Sequence, residues 1–318
     1  MRKLLAFNLI LCLLAGCQSE QASVPEKSPD QEQLNYPIPV AATVGMVADL
    51  VKNVGREYVD VTQIMGSGVD PHMHKASRDD VQTIMNSDMV FYSGLMLEGK
   101  MADTLIKVAR TKPVFAVTEL IDPKSLLEPD DFNGHYDPHV CVDAAKDALS
   151  QYDPRHAEVY QKNADEYKQQ LKTLHEYGLK TIKSIPENSR ILITSHDAFN
   201  YFGRAYGLEV LGVQGISTES EAGLKRINEL VDLLVAKNVK AVFVESSVSK
   251  KNITALIDGA KAQGHEIVIG GELFSDAMGE AGSYEGSYMG MLDHNFTIVA
   301  RALGGTAPEK GMQGKLTP

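Results

Sequence analysis

Cysteine is scarce in this chain: 3 among 318 residues, far from the density of a disulfide-stapled small domain. Basic side chains are outnumbered, with 31 Lys and Arg against 42 Asp and Glu and a formal net charge of -11. Nucleic-acid binders need a basic face to meet phosphate, so that class is disfavoured. The acidity suits a cation as ligand but does not by itself select one. No apolar run is long enough to cross a bilayer as a helix; the longest, Leu4 to Leu14, falls well short of about 20 residues. Several catalytic signatures are also missing: there is no HExxH, no GxxxxGK[ST], no GxGxxG and no GxSxG. What remains is ordinary globular material, 43% hydrophobic and 23% charged, too apolar for a disordered chain and long enough for two domains or one large one.

The N-terminus reads as an address. Arg2 and Lys3 precede the apolar run, and Leu14-Ala15-Gly16-Cys17 resembles a bacterial lipobox, in which small residues permit cleavage and the new N-terminal cysteine is acylated. Residues 1–16 are thus expected to be a lipoprotein signal peptide and Cys17 the lipidation site, holding the protein to a membrane surface without a spanning segment. Removing residues 1–16 takes two basic and no acidic side chains, so the charge passes from -11 to -13. Cys12 leaves with the signal and Cys17 is acylated, so Cys141 has no partner for an internal disulfide. Residues 17–36, polar and containing Pro25 and Pro29, read as a flexible tether.

From Pro37 onward short apolar runs alternate with amphipathic stretches. Val40–Val44, Val59–Ile64, Met89–Tyr92 and Val114–Val117 read as buried strands, with helices at Ser77–Met85 and Glu98–Ala109. A second series has strands at Arg190–Thr194, Glu209–Val213, Ala241–Val244 and Glu266–Ile269, and helices at Glu219–Val235, Lys250–Ala262 and Tyr288–Leu303. Thr218-Glu219-Ser220-Glu221 fits a capping box for the first of those helices. Such alternation predicts an α/β fold of two lobes, each a mostly parallel sheet flanked by helices. Between the series Asp153-Pro154 reads as a capped helix start. Tyr160, Ala164, Tyr167, Leu171, Leu174 and Tyr177 then recur on one face, predicting one long rigid helix joining the lobes. The expected division is an N-terminal lobe at 37–152, the linking helix at 153–185 and a C-terminal lobe at 186–318. An alternative has two shorter helices broken near Leu174–Gly178.

Four side chains stand just past the C-terminal ends of predicted strands: His72 and His139, each in an Asp-Pro-His triplet, His196 after Ile191–Ser195, and Asp276 after Ile267–Gly271. That edge is where open α/β sheets bind ligands. Two come from each lobe, so they can converge between them. Imidazoles with one carboxylate suit a borderline transition metal, and each proline stiffens the turn carrying its histidine. His74, His135, His156, His175, His265 and His294 are assigned non-ligand roles, with His74, two residues from His72, an alternative ligand or a partner of one.

The segments DPHMHKASRDDV (70–81), DPHVCVD (137–143), SHDAFNYFGRAYGLEVLGVQGISTESEAG (195–223), VFVESSVS (242–249) and GGELFSDAMG (270–279) resemble those of bacterial ABC-transporter solute-binding lipoproteins of the zinc/manganese type (cluster A-I). The resemblance covers nearly the whole chain after residue 16. It implies that His72, His139, His196 and Asp276 are the ligands of a transported Zn²⁺ or Mn²⁺, with Fe²⁺ also open. It further implies that the partners are an ABC permease and its ATPase, and that the protein is a monomeric, non-enzymatic receptor. Manganese-selective members typically carry glutamate at the third ligand position, where this chain has His196. His74 and Cys141 stand where the family often has tyrosine and tryptophan, and residues 118–135 lack the family's zinc-type His-rich loop. Two other readings stay open: a metal-dependent surface hydrolase with Glu245 as base, and an adhesin or scaffold with a structural metal. Capture needs deprotonated imidazoles, so affinity is expected to fall below about pH 6.5. The long helix predicts modest rocking of the lobes rather than wide closure.

Overall fold

The computed structural model describes residues 34–118, 121, 124, 126–127 and 144–317; Cys17, His135, His139 and Cys141 lie outside them. The first half follows β-α alternation. Strand β1 (Ile38–Ala42) leads to helix α1 (Gly45–Gly55), β2 (Val59–Gln63), α2 (Arg78–Asn86), β3 (Met89–Tyr92), α3 (Ala102–Val108) and β4 (Val114–Ala116). The strands form one parallel sheet in the order β2-β1-β3-β4. Their β-branched and aromatic side chains fill its core, with Val40, Val90 and Phe91 at 1% exposure or less. Helix α2 opens on Ser77, whose hydroxyl accepts from the Asp80 N–H while the Asp80 carboxylate accepts from the Ser77 N–H, a reciprocal cap.

After α4 (Ala144–Tyr152) a 3-10 turn at Pro154–His156 enters α5, Ala157–Lys183, a single helix of 27 residues. At 1.5 Å per residue it is about 40 Å long. Its apolar stripe is shared: Tyr160 and Ala164 belong to the first core, Tyr167, Leu174 and Ile182 to the second. Asp153 does not cap the helix. Buried, it accepts from the Tyr160 hydroxyl at 2.9 Å and lies 2.7 Å from His156 Nδ1, so its carboxylate is taken by neighbouring side chains rather than by the helix N–H groups.

The second half comprises β5 (Ile191–Thr194), α6 (Asn200–Tyr206), β6 (Glu209–Gly212), α7 (Leu224–Ala236), β7 (Ala241–Glu245), α8 (Lys251–Ala262), β8 (Val268–Leu273) and α9 (Tyr288–Ala302). β5 pairs with β6 and β7 with β8, both parallel, and β5 packs beside β7. The α/β architecture with a long joining helix is therefore as expected, with corrections. Helix α7 starts at Leu224 rather than Glu219 and is preceded by Gly223, which makes no side-chain cap; Thr218–Glu221 is not a capping box, because its side chains are drawn to other partners. The expected buried strand Glu266–Ile269 is instead β8, displaced toward Leu273, with Val268 and Ile269 exposed on its outer part. Gly270 and Gly271 extend this strand because the α9 side chains press on it: a Cβ at Gly271 would stand 2.4 Å from Ile298 Cγ2. Glu98 does not open a long helix; α3 begins at Ala102, and the Glu98 carboxylate is buried against the Ser93 and Gly94 N–H groups.

The continuity of α5 through Gly178 has a packing cause. A Cβ there would lie 2.4 Å from the ring of Phe296 on α9, and that ring is fully buried against Phe202 and Tyr206. Helix propensity alone predicts that Gly178→Ala gains about 1 kcal/mol. Overpacking costs about 1–3 kcal/mol and should prevail, so urea unfolding is expected to show a net loss of about 1 kcal/mol; a gain would mean that α5 and α9 are not in this contact.

Candidate metal centre

His72, His196 and Asp276 converge. One ligand atom from each lies within 4.8 Å of the others, and the three residues are at most 2% exposed. His196 Nε2 stands 3.1 Å from Asp276 Oδ2, and His72 Nε2 3.8 Å from the same oxygen. Donors bound at about 2.0–2.2 Å around one tetrahedral ion sit about 3.3–3.6 Å apart, so small side-chain movements suffice to bring all three onto a cation.

Each side chain is delivered by a sheet edge. His72 follows β2 in a turn that Asp70 organises: its Oδ1 accepts from the N–H of His72 at 2.9 Å and of Met73 at 3.4 Å. His196 stands two residues past β5, and the Thr194 hydroxyl donates to its carbonyl at 2.8 Å. Glu245, at the end of β7, grips it twice: Oε1 accepts from the His196 N–H at 2.9 Å, and Oε2 lies 2.7 Å from ring Nδ1. Ser275 donates to the same Oε2 at 2.5 Å. With Nδ1 engaged, Nε2 is the ring atom turned to Asp276. Asp276 follows β8 in a loop tied to α9 by Asn295, whose amide donates to the Phe274 carbonyl at 2.7 Å and accepts from its N–H at 3.0 Å.

Burial opposes charge on His196, yet the carboxylates of Glu245 and Asp276 outweigh it and hold the imidazole pKa well above its usual 6.5. Two buried carboxylates thus favour positive charge at this point, and a bound cation would supply that compensation more fully than a protonated imidazole.

The remaining described histidines have other partners. His74 lies 2.9 Å from Asp80, His156 pairs with Asp153, His175 with Tyr206, His265 with the Val239 carbonyl and His294 with the Glu272 carbonyl. His74 is therefore turned to the cap of α2. Within Ser195-His196-Asp197 the side chains diverge: Asp197 accepts from Asn200, while His196 turns to Glu245. Asp70 and Asn295 were missed as positioning residues. A visible signal existed for Asp70, the repeated Asp-Pro-His, but none for Asn295, which no local pattern relates to His72, His196 or Asp276.

Residues 40–302 match the family described as zinc-uptake complex component A, periplasmic (ZnuA). The chain belongs to that family. It is 48% identical over 299 residues to the manganese-binding lipoprotein MntA of Bacillus subtilis, covering 91% of this chain and 95% of the relative. The solved periplasmic zinc binding protein TroA of Treponema pallidum shares 41% identity and superposes with a TM-score of 0.80 over 84% of this chain and 99% of its own. The manganese ABC transporter substrate-binding lipoprotein PsaA of Streptococcus mitis is 31% identical over 280 residues, 83% of this chain and 88% of that one. Members of the family are solute-binding components of transport rather than catalysts.

Because Glu245 orients His196 through Nδ1, Glu245→Gln is expected to weaken transition-metal binding about 10- to 100-fold. Calorimetric titration of both proteins measures this; equal affinities would remove Glu245 from the site.

Proposed function

We propose that this protein is an extracytoplasmic receptor, acylated at Cys17, that captures a divalent transition metal between its lobes and hands it to an ABC permease driven by its ATPase. His72, His196 and Asp276 serve as ligands. His139, outside the described residues, is the fourth by its Asp-Pro-His triplet and the family resemblance. One observation carries the reading: three buried metal-ligating side chains from both halves converge where like-charged carboxylates need a cation. Zn²⁺ or Mn²⁺ is the cargo, with Fe²⁺ the third candidate. Membership of a family that includes the manganese-binding MntA and PsaA and the zinc-binding TroA supports the transport role and leaves the metal to experiment. Three imidazoles among the four proposed ligands favour Zn over Mn in intrinsic affinity, so selectivity for manganese has to come from availability or the permease.

A hydrolase reading is weaker, since the Glu245 carboxylate is already engaged by His196 and Ser275. Four protein ligands also close the shell that a catalytic zinc keeps open.

Metal analysis of protein purified without added metal, followed by competitive Zn²⁺/Mn²⁺ titration of the wild type and His196→Glu, tests the proposal. The wild type is expected to bind one ion and the variant to shift preference toward Mn²⁺. Absence of binding at micromolar metal in both would overturn it.

Proton competition gives a second test. The metal must displace the proton that Glu245 and Asp276 hold on His196. Affinity should therefore fall as pH decreases, starting above the ordinary histidine value of 6.5 and by about tenfold per pH unit for that proton. Calorimetry in buffers of different ionisation enthalpy should detect the released proton at neutral pH. A pH-independent affinity between pH 5 and 8 would contradict the assignment of His196.

A further inference from the structure

The segment Thr218–Glu221, which does not cap α7, reaches the opposite half of the molecule. The Thr218 hydroxyl donates to Asp70 Oδ2 at 2.6 Å, across 148 positions of sequence. The other oxygen of that carboxylate, Oδ1, is the one that accepts from the backbone N–H groups of His72 and Met73. A single carboxylate thus ties the turn carrying His72 to a loop of the C-terminal half. Beside it Lys100 Nζ lies 3.8 Å from Glu219 Oε1 and 3.2 Å from Met73 Sδ. On the same turn Ser67 donates to Glu280 Oε1 at 2.7 Å. Two cross-half contacts therefore lie within residues 67–73, and a third, from Lys100, stands beside them.

We propose that Asp70 and Thr218 form an interlobe latch, with Asp70 the positioning residue through which approach of the C-terminal half fixes His72 as a ligand. This inference rests on the metal-receptor reading and extends it from capture to release. With Thr218 in place the Asp70 carboxylate is held at both oxygens and cannot rotate, so the His72 backbone is fixed relative to His196 and Asp276. When the halves part, Thr218 leaves, Oδ2 is freed, and the turn that carries His72 loses its brace. The latch thereby makes retention of the ion depend on the relative placement of the halves, which a docked permease can alter. The Lys100–Glu219 pair is partly exposed and contributes little by itself; the short bond to a carboxylate is the strong contact of the seam.

The test is the rate at which Co²⁺-loaded full-length protein surrenders its ion to excess EDTA, followed by the visible absorption of bound Co²⁺ in stopped flow. Thr218→Val keeps the shape and removes the hydroxyl; Thr218→Ser restores it; Glu219→Ala removes only the exposed pair. Release is expected to be about tenfold faster in Thr218→Val, the strength of one charge-assisted hydrogen bond, and within twofold of wild type in Thr218→Ser and Glu219→Ala. Circular dichroism should show all the metal-free proteins fully folded at the assay temperature, which separates a latch from a folding role. Equal release from wild type and Thr218→Val overturns the latch and leaves the receptor reading intact. Equal acceleration in Thr218→Val and Thr218→Ser also overturns it. A wild-type protein that takes up no Co²⁺ overturns the receptor reading and the latch together.

Discussion

Two buried carboxylates share one imidazole in this protein, and much of the C-terminal half is arranged around that fact. Glu245 and Asp276 flank His196 with almost no exposure to water. Isolated like charges in such a place are costly. The structure lowers that cost with a backbone N–H and the Ser275 hydroxyl on Glu245, and with a proton on His196. None of these neutralises the cluster as fully as a divalent ion. The loops that create the problem are also the ones that β5, β7 and β8 hold in place, so binding strength is built into the sheet rather than into mobile side chains.

The division of labour between the halves follows. The C-terminal half presents His196 and Asp276 with a rigid backing of Glu245 and Asn295. The N-terminal half contributes His72 on a turn outside any helix or strand, braced by Asp70 and a proline. The first part resists rearrangement, and the second depends on what stands across the seam. A receptor that must hold an ion tightly and later give it up benefits from that asymmetry, since affinity can be altered by disturbing the turn alone.

Much of this was legible in sequence. Met89–Tyr92 was placed to the residue and Val59–Ile64 nearly so, because short β-branched runs flanked by polar turns have few other uses. The stripe from Tyr160 to Tyr177 disclosed α5, since its period survives whichever lobe each residue faces. His72, His196 and Asp276 were visible as polar residues just past strand ends. What failed were capping rules overruled by other partners. Asp153 looked like a cap, but its carboxylate turns to the nearby His156 and Tyr160 side chains. Thr218–Glu221 matched a capping box but faces Asp70 and Lys100. Helix α1 went unseen because it opens at Gly45 behind Val44, with no polar cap to mark it. The brace from Asn295 to the Asp276 loop joins positions that no local pattern relates.

Helix α5 places side chains in both hydrophobic cores without a break. Neither half can lose its core without unwinding a stretch of helix that the other half requires. The two lobes therefore share one cooperative unit: heat or denaturant should melt them in a single transition, and a protease finds no stable intermediate in which one lobe is folded and the other open. A connector that limits the travel of the lobes thus also joins their survival.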